Sequence, residues 1–315
     1  MPVSCDMPPI IVIAGPTASG KSKLALELAM ALGGGVVNAD SMQVYRELRV
    51  LTARPGPAEE ERAPHRLYGV LPAWERCSAA RWREMALDAL AGQEMRPAIL
   101  CGGTGFYIEA LLHGLSDMPD TAPGIEAAAR ARREALGAEG FHREVAARDP
   151  ELARRVPPGD RQRLLRAWSV FEATGTPLSE WQAGPRPAPL RAWTILLDPP
   201  RERLQARIEA RFRAMLAAGA LEEADRLRGL DPDLPAMKAL GLPELHAHLA
   251  GEIALEEAER RAVFATRRFA KRQRTWFRNR LRADATFRQD WSPDLAAAAM
   301  AGLPRHIRGP EPTGP

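Results

Sequence analysis

At 315 residues, 45% hydrophobic and 27% charged, the chain is too long for a single small core, so one domain with a substantial insertion is expected. The formal charge of +4 is modest, and no uncharged apolar run approaches the roughly 20 residues that span a bilayer. No basic stretch precedes the first apolar segment, so no signal peptide or membrane partner is expected. Cys5, Cys77 and Cys101 form no CxxC pair. Reduced thiols in a cytoplasm are expected, not a disulfide frame or a zinc site.

In chain order, Ile10–Ala14 reads as a short buried strand and Leu24–Leu32 as a helix with one apolar side. Between them, Gly15-Pro16-Thr17-Ala18-Ser19-Gly20-Lys21-Ser22 fits G-x-x-x-x-G-K-[ST]. Such a turn points successive backbone N–H groups into a concavity that favours oligophosphate. Lys21 adds charge toward the terminal phosphates, and the Ser22 hydroxyl can hold Mg²⁺. The ligand carries a diphosphate or triphosphate, with ATP as the default. Whether that phosphate is transferred, hydrolysed or expelled as a leaving group is not encoded in the loop.

Val36–Ala39, Ala98–Gly102 and Trp193–Leu197 read as further strands with helical patterns between them, so a parallel α/β sheet of the P-loop type is expected. Ligands collect beyond the carboxyl ends of such strands, where Asp40, Gly103-Thr104 and Asp198 fall. Asp40 suits a general base there, or equally an N-cap or a water-mediated Mg²⁺ ligand. Phosphoryl-transfer enzymes usually end a strand in Asp to hold Mg²⁺. Here Ile99-Leu100-Cys101 runs into Gly102-Gly103 instead, which argues against a kinase and leaves room for a large acceptor.

Residues 117–189 carry no strand signal, include a helix from Asp160 to Ala173, and end in Gly184-Pro185-Arg186-Pro187-Ala188-Pro189, which breaks the chain like a linker. A helical domain inserted into a core of residues 1–116 and 190–302 is expected. The helix start Asp160–Arg166 suits contact with phosphates and base edges, or a plain surface helix. Arg203, Arg207 and Arg211 recur on one helix face. They suit either a diphosphate or a solvated face balanced by Glu202 and Glu209, with Arg203 assigned to solvent. Between Arg260 and Arg282 stand Arg267, Arg268, Lys271, Arg272, Arg274, Arg278 and other basic residues with no acid among them, the pattern of a polyanion contact. Trp276-Phe277 suits base stacking or core packing. Residues 303–315 are expected to fray.

Together these segments resemble the tRNA dimethylallyltransferase (tRNA isopentenyltransferase) family of bacterial type. The resemblance rests on the octet at 15–22, Asp-Ser-Met-Gln-Val-Tyr at 40–45, Thr-Ala-Arg-Pro at 52–55 and Pro-His-Arg-Leu at 64–67. It continues with Gly-Gly-Thr-Gly-Phe-Tyr at 102–107, Gln-Arg-Leu-Leu-Arg at 162–166, Arg-Ile-Glu-Ala-Arg-Phe at 207–212 and Ala-Lys-Arg-Gln-Arg-Thr-Trp-Phe-Arg at 270–278. It implies transfer of a dimethylallyl group from dimethylallyl diphosphate to N6 of the adenosine 3′ of the anticodon, with the loop holding a leaving group. On that model Lys21, Ser22-bound Mg²⁺, Thr17 and Arg211 neutralise the diphosphate as the allylic C–O bond breaks. The loop Gly15, Pro16, Thr17, Ala18, Ser19, Gly20, Lys21, Ser22 and Arg207 cradle it, and Asp40 takes a proton from, or hydrogen-bonds to, the attacking amine.

The resemblance also implies tRNA contacts. Asp40, Ser41, Met42, Gln43 and Thr104 would meet the target nucleotide. Gln162, Arg163, Leu164, Leu165 and Arg166 would grip the anticodon stem-loop, and Lys271, Arg274 and Arg278 the RNA backbone. Two places depart from the pattern: Lys238-Ala239-Leu240-Gly241-Leu242-Pro243 occupies a stretch where relatives usually place an aromatic and then a basic residue, and Glu126 falls about where they tend to place an arginine. Nothing demands a dimer, so a monomer is expected. The rivals are a small-metabolite kinase, an isopentenyltransferase acting on free adenine nucleotides, and a catalytically silent tRNA binder. Gly102-Gly103 argues against the first, the basic block against the second, and intact Lys21, Ser22 and Asp40 against the third.

Overall fold

Five consecutive apolar residues without polar alternation belong in a strand covered on both faces, and Ile10–Ala14 (β1) is completely buried. The computed structural model describes residues 8–308 apart from 93, 94, 117, 119, 120, 186 and 188. Its strands continue with β2 (Gly35–Asn38), β3 (His65–Arg66), β4 (Ala98–Gly102), β5 (Ala192–Leu197) and β6 (Ala285–Phe287). They form one six-stranded sheet in the order β3-β2-β4-β1-β5-β6, and every pairing is parallel. β1 lies between β4 and β5, so Ala14 is level with Gly102 on one side and Leu196 on the other. The chain leaving β1 therefore emerges beside the ends of both neighbours. Gly102 permits the close approach of β2 and β4, because a Cβ there would overlap the Ala39 carbonyl.

Before the helical segment come α1 (Lys21–Leu32), α2 (Pro57–Glu60), α3 (Ala79–Leu90) and α4 (Gly105–His113). The segment itself holds α5 (Pro123–Arg148), α6 (Pro150–Arg155), α7 (Arg161–Thr174) and α8 (Leu178–Ala183). After it come α9 (Arg201–Ala217), α10 (Ala220–Asp225), α11 (Leu242–Leu249), α12 (Leu255–Arg280), α13 (Pro293–Gly302) and α14 (Arg305–Arg308). Among the described residues no helix is long and apolar enough to cross a membrane.

By packing, the chain divides into two units: residues up to Leu112 with those from Pro189 onward, and His113–Ala188. In the first, alternate β1 residues serve opposite layers. Ile10, Val12 and Ala14 pack with Trp82, Ile108, Phe212 and Phe277 from α3, α4, α9 and α12. Ile11 and Ile13 pack with Leu24 and Leu28 of α1 and Leu295 of α13. The second unit has its own core around Phe141, Leu152, Leu164 and Trp168. Its buried Asp149 accepts from the Leu152 N–H (2.9 Å), capping α6, and from both the N–H and hydroxyl of Ser179 (2.9 and 2.6 Å), tying α8 to that cap.

One expectation needs correction. The frayed tail does not begin at Leu303: Leu303 and Ile307 are buried in the layer with α1 and α13, because both are apolar side chains that the turn into α14 returns to that layer. Residues 309–315, Cys5 and the expected boundary at Asp117 lie outside the described residues. The edge strands β3 and β6, with two and three residues, have no counterpart in the sequence reading. They are too short and too exposed to leave an apolar run.

Candidate active site

The loop between β1 and α1 reverses through two left-handed residues, Ala18 (φ 63°) and Gly20 (φ 93°). Gly20 occupies the N-cap position of α1 and no side chain caps that helix. The N–H groups of its first turn are thus left for a ligand, at the positive end of the helix dipole. A Cβ on Gly15 would stand 2.6 Å from the Leu197 carbonyl oxygen, and one on Gly20 2.8 Å from Trp291 Cβ. The tight fold of the loop thus depends on β5 and on a segment near the C-terminus.

Lys21 Nζ donates to the Pro16 carbonyl (3.3 Å), folding back over the loop. Burial lowers its pKa, while the nearby Cys101 and Asp40 pull it up and Arg211 lowers it further. The Ser22 hydroxyl lies within hydrogen-bonding reach of the buried Cys101 thiol, whose own pKa burial pushes up to about 11.

Asp40 follows β2. The Asn38 side chain accepts its N–H (2.8 Å) and donates to the carbonyls of Asp40 and Leu67 (both 3.0 Å). Asp40 Oδ1 in turn accepts the Met42 N–H (2.9 Å), closing an Asx turn. Thr104, just after β4, accepts the Ser41 N–H at its hydroxyl (3.0 Å). The ends of β2 and β4 are therefore joined by side chains as well as by the sheet.

The Asp40 charge offsets burial at Lys21 and also at Arg211, whose pKa burial likewise lowers. Three residues expected to be catalytic thus share one electrostatic neighbourhood. Arg211 Nη2 donates to the Thr52 carbonyl (3.1 Å). With Thr17 and Thr266 it forms the polar side of an open cleft, whose other walls are Leu51, Ile208, Phe212, Met215 and Leu240. The Thr52 loop is held three ways. Besides Arg211, Gln43 Nε2 donates to the Thr52 carbonyl (2.9 Å). The buried Glu223 carboxylate of α10 accepts the N–H groups of Arg49, Val50 and Leu51 (2.8, 2.7 and 2.9 Å).

The three arginines of α9 do not act as one group. Arg207 donates through Nη1 to the Ala18 carbonyl (2.9 Å), at the edge of the loop, and pairs with Asp290. Arg203 is exposed and lies 3.5 Å from the other Asp290 oxygen.

The basic block of α12 is less uniform than its sequence. Arg260 and Arg261 pair with Glu257, Arg267 with Glu209, and Arg274 with Asp198 at 2.6 Å. The acids come from outside the block, so linear reading overstates its charge. Arg268, Lys271, Arg272 and Arg278 are exposed and have no carboxylate partner among the described residues. Arg274 is accordingly a bracket to the end of β5, not a free cation. Trp276 packs over Gly105, where a Cβ would overlap its ring, and Phe277 is buried in the core.

In the helical unit, Asp160 caps α7 through the Arg163 N–H (3.2 Å), with Gln162 and Arg163 exposed on its first turn. Arg166 donates to the Thr121 hydroxyl (3.0 Å). Leu164, expected among the RNA contacts, is fully buried in the unit's core. Its spacing to Ala167 and Trp168, an i, i+3, i+4 stripe, carried that signal.

Sequence reasoning missed Gln273, whose buried amide accepts the Thr17 N–H and donates to the Gly103 carbonyl, both at 2.8 Å. It also missed Asp290 and Trp291 beside the loop. Among the described residues no cluster of three or more His, Cys, Asp or Glu side chains could hold a metal. The oxygen donors present, Ser22 and Asp40, fit a hard cation that takes most of its ligands from water and phosphate, as Mg²⁺ does.

Comparison with known proteins gives the chain's family. The family model described as IPP transferase matches residues 43–280, and one described as isopentenyl transferase matches residues 8–70. A tRNA dimethylallyltransferase of Rhodospirillum centenum is 55% identical over 89% of this chain and 91% of its own length. Another from Paramagnetospirillum magneticum is 50% identical over 95% and 97%. The solved tRNA isopentenylpyrophosphate transferase of Bacillus halodurans superposes with a TM-score of 0.64 at 30% identity, over 93% of this chain and 96% of that one. A eukaryotic dimethylallyltransferase solved acting on tRNA superposes with a TM-score of 0.71 at 26% identity, over 86% and 70%.

Proposed function

The chain belongs to the IPP transferase family, and we propose that it transfers a dimethylallyl group from dimethylallyl diphosphate to N6 of the adenosine immediately 3′ of the anticodon in tRNA, releasing diphosphate. The observation that carries this reading is the pairing of an uncapped phosphate loop with a cleft that is apolar on most sides and cationic at Arg211. A kinase needs no apolar pocket beside the phosphates, whereas a five-carbon chain does.

In the reaction the C1–O bond of the allylic diphosphate breaks and its electron pair leaves with the diphosphate. The N6 lone pair forms the new N–C bond, and N6 gives up one proton. Lys21, Arg211 and the N–H groups at the start of α1 stabilise the departing charge, the largest contribution such a site makes. Mg²⁺ held at Ser22 would add Lewis-acid neutralisation of the same leaving group. Asp40, fixed by Asn38 and the Asx turn, accepts the N6 proton. An aromatic amine is a weak nucleophile, so its placement by Thr104 and Ser41 matters as much as its deprotonation. The adenine must leave its stack to reach the crevice, which costs least in an unpaired loop.

RNA would be held by Lys271 and Arg278 on α12 and by Gln162 and Arg163 on α7. The chain would act in the cytoplasm as a monomer. The test is incubation with unmodified tRNA, labelled dimethylallyl diphosphate and Mg²⁺, followed by mapping of the label. Label on the nucleotide beside the anticodon is expected. No label there under conditions where tRNA binds, or phosphorylation of a small acceptor from ATP, overturns the reading.

A further inference from the structure

We propose that Gln273 is a positioning residue for this reaction, setting the phosphate loop from α12 through two opposed hydrogen bonds of one buried amide. Oε1 accepts the Thr17 N–H and Nε2 donates to the Gly103 carbonyl, each at 2.8 Å, and the residue is 5% exposed. Its partners are the segment after β1 and the segment after β4, which no backbone ladder connects beyond the strand ends. A neighbouring bond extends the bracket: Arg274 reaches Asp198 after β5 at 2.6 Å. Two consecutive side chains of α12 thereby fix the segments leaving three central strands.

Glycine at 103 takes its reason from this amide. A Cβ there would overlap Gln273 Nε2, while the next nearest backbone atom, the Gly15 carbonyl oxygen, would stand at an ordinary 3.6 Å. The bond to Thr17 has a chemical consequence. It takes the Thr17 N–H away from the phosphate cradle and fixes the residue at the wall of the cleft that it shares with Arg211. Misplacement of such a group by about 1 Å costs a large rate factor. On α12, exposed Lys271, Arg272 and Arg278 lie within five residues of Gln273, so the helix assigned to RNA also holds the loop assigned to diphosphate. The name of the reaction rests on the prenyl-transfer reading; the hydrogen bonds would set the loop for any diphosphate.

Two variants test this. Gln273→Met keeps the volume of the side chain and drops both bonds. Gly103→Ala pushes the amide away from the opposite side. Calorimetry with inorganic diphosphate and Mg²⁺ is expected to show about tenfold weaker binding in each variant, the loss of one or two hydrogen bonds. The double variant should lose no more than either alone. In the transfer assay kcat falls by about tenfold, while KM for RNA stays within about twofold. Unchanged diphosphate affinity and kcat in Gln273→Met overturn the proposal, and so do additive losses in the pair. If Gln273→Met does not fold, Gln273→Glu decides by the same measurements, because it keeps the acceptor for Thr17 and removes the donor to Gly103. A wild-type chain that binds diphosphate but transfers no prenyl group overturns the prenyl reading instead, and Gln273 then stands or falls on calorimetry alone.

Discussion

At the carboxyl end of the sheet, Lys21 and Arg211 are half-buried, and their direct hydrogen-bond partners among the described residues are backbone carbonyls, those of Pro16 and Thr52. Neither forms an ion pair among the described residues, and burial lowers the pKa of both. The helical unit treats charge in the opposite way. Glu144 accepts hydrogen bonds from Trp168 Nε1 (2.8 Å), Arg148 (2.7 Å) and Arg132 (2.8 Å). Burial opposes its ionisation, yet those three donors hold its carboxyl down at about 2. A charge with surplus partners stabilises a fold, and a charge short of partners is ready for a ligand. The difference separates a structural network from a binding site more sharply than the number of charged residues does.

The largest expected effect arises at the under-compensated site. Lys21→Met should lower kcat of transfer by about 10²–10³-fold, as loss of a preorganised donor does. The melting temperature should stay level or rise, since a half-buried and poorly paired charge is removed. Single-turnover kinetics and thermal melts check both halves. A large loss of stability with modest loss of transfer would show that Lys21 is structural and would break the comparison.

Glu144→Gln should do the reverse, leaving diphosphate binding intact and destabilising the helical unit by about 2 kcal/mol, the scale of hydrogen bonds to a charged group. The pH dependence is set by the sign of the shift. A carboxyl whose pKa is depressed in the folded state stabilises above its ordinary value of 4.5 and loses that contribution as pH falls toward about 2. Melts of the full chain should therefore show wild type and Glu144→Gln converging across that window. A constant gap at every pH would assign the loss to packing.

A smaller effect belongs to α12. Replacing Lys271 and Arg278 by Ala should reduce the slope of log affinity for tRNA against log salt by about one to two, because each cation that neutralises a phosphate releases about one condensed counterion. An unchanged slope would remove this helix from the RNA interface. Arg274→Ala reports something else: it leaves Asp198 unpaired beside β5, and its cost should show in diphosphate binding.

The parts of this arrangement that were legible in the sequence are those that depend on neighbours in the chain. Ile10–Ala14 and Ala98–Gly102 were readable as strands because burial on both faces leaves continuous apolar runs. The octet at 15–22 was readable because a phosphate turn is a local device. Arg207 and Arg211 were legible as residues of one helix face, but their separation was not. It depends on Asp290 and Thr52, which lie 83 and 159 positions away. Gln273 stands inside the family-like segment 270–278, but its bracing role left no signal, since glutamine in a basic helix reads as surface until Thr17 and Gly103 are brought to it. The block from Arg260 to Arg282 reads as a polyanion contact because the acids that pair with it stand outside it, Glu257 at the start of α12 and Glu209 and Asp198 on other elements.

The smallest effect tests whether the site's shortage of counter-charge is complete. Asp290 pairs with Arg207 and approaches Arg203, and Arg207 is held to the Ala18 carbonyl of the phosphate loop. A carboxylate in that place competes with an arriving diphosphate for the same guanidinium. Both side chains are about a third exposed, so solvent screens the pair and its worth is about 0–1 kcal/mol. Asp290→Asn should therefore tighten binding of inorganic diphosphate by no more than about fivefold, and the gain should shrink as salt is raised. Weaker binding in Asp290→Asn would reverse the assignment. Asp290 would then hold Arg207 in position for the ligand, and the edge of the loop would share the fully compensated pattern of Glu144 instead of the open one of Lys21.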